Sequence, residues 1–120
     1  MSLKELYRAE LDRKAEAREQ MCASFEEAKD KLEDLYRSIM EDEEFLRSIH
    51  AEVELHDDDL RIDPGPVMIV VTAQLSGDFH MEYEVKKPDD YQTTVLGDVH
   101  TIADVERALA KLLATYARHD

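Results

Sequence analysis

The residues with the types and spacing that chemistry could use are few. His50, His56, Asp57, Asp58 and Asp59 crowd into ten positions, and imidazole with carboxylate suits zinc, manganese or iron. Their spacing fits no ligand motif. The Asp57-Asp58-Asp59 run lacks the alternating ligands and the glycine of a calcium loop, so the stretch reads as a solvated acidic turn and no metal is expected. The one cysteine, Cys22, would need a base oriented by a third group to act as a nucleophile. It stands one position from an apolar helical stripe, so a packed or half-buried thiol is expected instead. The five histidines, at 50, 56, 80, 100 and 119, are spread in the way of surface residues. Three glycines in the chain leave no phosphate-cradling loop, dinucleotide turn or nucleophile elbow. No catalytic residue and no cofactor is expected, and the chain is read as a non-enzyme.

Charge carries more information. Of 120 residues, 29 are acidic and 15 are lysine or arginine, for a formal charge of −14. Each contact to a nucleic-acid phosphate or an anionic lipid needs a cation from the protein, so the balance disfavours direct binding to either, none is expected, and a basic protein is the natural partner. The excess is local, because residues 25–63 hold fifteen acids against five bases. Within it, Glu41, Asp42, Glu43 and Glu44 together with Asp57, Asp58 and Asp59 are expected to form one negative docking surface.

These residues must be positioned by the surrounding elements. All glycines and prolines lie after Asp63, and residues 2–49 are rich in helix formers, opening on a Ser2/Glu5 capping box. Met21, Phe25, Ala28, Leu32, Leu35 and Ile39 follow a 4-3-4-3-4 spacing, which lines one helix face and matches a short coiled-coil seam. The segment is one long helix or a helical hairpin, since Ser24 with Glu27 and Ser38 with Glu41 are further restart signals. Residues 12–20, with only Ala15 and Ala17 as apolar members, would be exposed or would lie against a partner's helix.

Beyond Ile49 the period changes to two. Val53 and Leu55 mark a short strand ending at the His56-Asp57-Asp58-Asp59 turn, and Leu60 and Ile62 continue it or pair with it. Pro64-Gly65-Pro66 makes a corner. Val67, Ile69, Val71, Ala73 and Leu75 then alternate with Met68, Val70, Thr72 and Gln74 in a strand apolar enough on both sides to be central and covered. Ser76-Gly77-Asp78 turns the chain into Phe79, Met81, Tyr83 and Val85, opposite His80, Glu82, Glu84 and Lys86. Pro88-Asp89-Asp90 is another turn, followed by a strand over residues 91–96 closed by Gly97 and Asp98. Thr101 and Asp104 cap a final amphipathic helix whose stripe is Ile102, Val105, Leu109, Leu112, Leu113 and Tyr116.

The expected molecule is a single α+β domain over residues 1–120: a long N-terminal helix or helical hairpin through 1–49, then over 50–120 a three- to four-stranded antiparallel meander sheet and a C-terminal amphipathic helix. The longest apolar run, residues 67–71, is far short of the ~20 residues a spanning helix needs. With a lone cysteine and no basic-then-apolar leader, a cytoplasmic location is expected. The function expected is that of a small acidic adaptor or regulator that binds a basic protein and forms a homodimer through its N-terminal helices. Leu32, Leu35 and Ile39 would carry the helix contact, and the seven acids above the charged one. The alternatives are an acidic nucleic-acid mimic that inhibits a basic-grooved protein, or a chaperone, since the small, acidic, mixed composition looks like that of bacterial secretion chaperones.

Overall fold

The computed structural model describes residues 2–87 and 91–117, with the backbone alone at Tyr91. The element order is α1 (Leu3–Glu41), α2 (Glu43–Ile49), β1 (Glu52–Leu55), β2 (Asp59–Asp63), β3 (Val67–Ala73), β4 (Phe79–Lys86), β5 (Tyr91–Val99) and α3 (Ile102–Tyr116). This is the expected α+β class with five strands instead of three or four, because Leu60 and Ile62 pair with the preceding strand as β2 instead of extending it.

The capping box at Ser2 is formed: its hydroxyl accepts from the Glu5 N–H at 3.3 Å, and its own N–H donates to the Glu5 carboxylate at 3.5 Å. From there α1 runs unbroken through both Ser24 and Ser38. A mid-helix serine competes poorly with an uninterrupted ladder of backbone hydrogen bonds, so neither restart signal interrupts the rod, and the fold-back near residue 24 does not occur. The break falls at Asp42, whose backbone leaves the helix (φ −92°, ψ 80°) while its carboxylate accepts from the Phe45 N–H at 3.0 Å. Glu43 and Glu44 in the first turn of α2 complement the positive end of its dipole.

The sheet is a meander in the order β1-β2-β3-β4-β5 with every neighbouring pair antiparallel. The corner before β3 is held by the Gly65 N–H donating to Asp63 at 2.9 Å. β5 does not stop at Gly97: it continues to Val99 past a register shift opposite Met81 and Glu82, with Gly97 at φ +95° supplying the bulge. The turn expected at Pro88-Asp89-Asp90 lies outside the described residues, as does His119.

The register decides where the core sits. Leu60 pairs with Val71 and Val71 with Met81, while Ile62 pairs with Ile69 and Ile69 with Tyr83, so these side chains share one face. On that face Leu60, Ile62, Val67, Ile69, Val71, Ala73, Phe79 and Met81 are buried, in one cluster with Ala28, Leu32 and Ile39 of α1 and Val105, Leu109, Leu112 and Leu113 of α3. Both long helices therefore cover the same side, making a two-layer domain. The other side of β3 is uncovered: Met68, Val70 and Thr72 are only half-buried, contrary to the expectation of a strand covered on both faces.

Candidate protein-interaction surface

The seam of α1 is partly spent inside the chain. Leu32 is 1% exposed and Ile39 8%, with Leu35 packed against the same core. The helix contact expected of Leu32, Leu35 and Ile39 is thus made largely to the protein's own core, with Leu32 fully enclosed and Leu35 half-buried. Cys22, expected to be packed, is exposed, because α1 joins the body only from about Ser24 onward; residues 2–23 are exposed throughout.

The acids singled out in the sequence do not make one surface. Glu41, Asp42, Glu43 and Glu44 are exposed around the α1–α2 break, with Asp42 engaged in capping and Glu43 3.7 Å from Arg47. Asp57 and Asp58 lie in the β1–β2 turn and Asp59 opens β2, and the Lys29 ammonium sits 3.5 Å from Asp57, 3.2 Å from Glu26 and 4.9 Å from the centre of the Phe25 ring. The Glu26 and Asp57 carboxylates hold the Lys29 ammonium above its ordinary pKa, against a smaller opposing effect of desolvation. Lys29 and Asp42 are thirteen positions apart on α1, so the two clusters stand about 20 Å apart along the rod at 1.5 Å per residue. Asp59 is further paired with Arg61 at 3.2 Å. The expected single docking patch is thereby divided and partly neutralised by the chain's own cations.

A different negative surface is built by the sheet. Because strand side chains alternate, the residues between the buried ones all point to the uncovered face. Across it the register sets three rows: Glu52, Asp63, Met68, Glu84 and Thr93; Glu54, Arg61, Val70, Glu82 and Val95; Asp59, Thr72, His80 and Asp98. The two fixed cations here are each bound to an aspartate, Arg61 to Asp59 and Lys86 to Asp63 at 2.6 Å across β3. His80 bridges Asp98 at 3.3 Å and Glu82 at 3.8 Å, and Gln74 donates to Asp98 at 3.2 Å. Glu52, Glu54, Glu82 and Glu84 have no lysine or arginine partner among the described residues. Half-buried Met68 and Val70 run down the middle. The signal for this face is present in the alternation of Glu52 and Glu54, and of His80, Glu82, Glu84 and Lys86; runs of charge along the chain do not reveal it, because the face forms only when the strands pair side by side.

Among the described residues no group of three or more histidines, cysteines or acids is placed to hold a metal ion, and no helix is long and apolar enough to cross a membrane. A cleft of about 430 Å³ lies between α1, α2, α3 and β2, lined by Leu35, Ile39, Phe45, Ile49, Ile62, Leu109 and Leu113 with Ser38, Asp42, Ser48 and Glu106 among its polar members. Comparison with protein families, with curated proteins and with solved structures finds no match.

Proposed function

We propose that the protein is a binding module for a basic protein surface, working without chemistry of its own and using the uncovered face of the sheet. The observation that carries this is the arrangement of Glu82 and Glu84 directly beside the Met68 and Val70 strip, with Glu52 and Glu54 one strand beyond Arg61 and Asp63 on its other side, on a five-stranded support. An apolar strip between carboxylates matches a partner that sets a valine or leucine between lysines or arginines: the strip excludes water and the acids steer the approach. The acids of the α1–α2 break extend the negative field that attracts such a partner from a distance.

A titration of the labelled protein with decalysine, followed by amide chemical shifts, tests the reading. The expected result is shifts concentrated at Val70, Glu82, Glu84 and Glu54, binding that weakens at least about tenfold between low and moderate salt, and loss of binding in a Glu82→Lys, Glu84→Lys double variant. Shifts confined to residues 41–44, or none, would refute it.

A further inference from the structure

The seam of α1 continues past the point where the body ends. Counting back from Met21 along the face that carries Phe25, Ala28 and Leu32 onto the sheet gives Ala17, Lys14, Glu10, Tyr7 and Leu3, at intervals of 4-3-4-3-4 from Leu3 to Met21. Every one of these residues is exposed, Leu3 at 83% and Tyr7 at 62%. A helix standing alone in water is marginal, and most helices in proteins are stabilised by packing an apolar face.

The spacing of these six residues is symmetric about position 12. A second copy laid antiparallel across that point meets an identical seam with complementary residues in each layer: Leu3 faces Met21 of the second copy, Tyr7 faces Ala17, and Glu10 faces Lys14. Apolar Leu3 meets apolar Met21, bulky Tyr7 meets small Ala17, and acid meets base. A parallel pair would instead stack Glu10 on Glu10 and Lys14 on Lys14. The body excludes the parallel arrangement as well. Gly77, in the β3–β4 turn at φ +90°, presses on α1 so closely that a Cβ there would lie 3.2 Å from the Ser24 Cβ, so the sheet begins on the seam side where the free segment stops. Two parallel copies would place both bodies against the same stretch of seam, whereas the antiparallel pair sets them at opposite ends.

We propose that residues 3–21 of α1 form an antiparallel two-helix interface with a second copy of this chain, centred on residue 12 and fixed in register by two symmetric Glu10–Lys14 contacts. This is independent of the sheet face, which shares no residue with it. Sedimentation equilibrium should give twice the 13.9 kDa chain mass. Glu10→Lys and Lys14→Glu, both at exposed positions, should each weaken dimerisation about tenfold or more by creating two like-charge contacts, and the double swap E10K/K14E should restore it. The sheet-face double variant at Glu82 and Glu84 should remain dimeric even where decalysine binding is lost. A monomer at about 100 µM, single reversals that leave the mass unchanged, or a swap that fails to recover the dimer would each overturn the proposal.

Discussion

His100 shows how a single side chain ties distant segments together. Its Nδ1 lies 3.0 Å from Asp78 in the β3–β4 turn, joining that turn to the start of α3. The hydrogen bond to Asp78, and then the charges of Asp78, Asp98 and Asp104, raise its pKa above the ordinary 6.5. A folded-state pKa above the unfolded one means the protonated ring favours the folded state. That contribution is fully present below pH 6.5 and fades as pH rises through the elevated value. Chemical denaturation of His100→Ala against the parent should therefore show a stability deficit near about pH 5.5 that closes by about pH 9. A deficit equal at both values would mean the ring acts by packing alone.

The elements were legible where local chemistry decides them. The caps at Ser2 and Thr101, the Gly77 turn and the alternation in β4 follow from residues within a few positions of one another, and all are found. What could not be read locally was settled between elements. Met68 and Val70 read as covered because they are apolar, yet they are only half-buried: their register neighbours are Arg61, Glu82 and Glu84, long side chains whose aliphatic stems are able to cover apolar surface without a second layer. The seam from Met21 to Ile39 announced that it would pack; periodicity contains nothing about whether the partner is a sheet of the same chain or a helix of another. The helix break was equally hidden, since Asp42 resembles its acidic neighbours until its carboxylate is seen capping α2. Asp42→Ala should remove that cap and cost about 1 kcal/mol of folding stability, measured by thermal or urea unfolding, while Asp42→Asn, which caps as well, should cost little.

At the scale of the molecule the body and the free part of α1 differ in what protects them. From Ala28 onward α1 is anchored by side chains in the common core, whereas among the described residues the side-chain bonds of 3–23 are local, the capping box at Ser2 and Glu5 and the ion pair of Glu10 with Arg13, and exposed pairs of the latter kind contribute little. Limited trypsin treatment of the Lys14→Glu variant, whose free helix lacks the proposed partner, should cut at Arg8, Arg13 and Arg18 before any site in the sheet, leaving a fragment that keeps its β-sheet circular dichroism. In the parent protein the same cuts should be slower.

The outline of the chain, 71 × 35 × 20 Å with a radius of gyration of 18.9 Å, contrasts with the roughly 14 Å of a compact chain of this length. Such a shape has more friction than a sphere of equal mass, so even a lone copy should leave a gel-filtration column early, among larger globular standards. Its rotational diffusion should also be direction-dependent, with amides along α1, whose N–H vectors run with the helix axis, relaxing differently in NMR from amides whose N–H vectors lie across that axis.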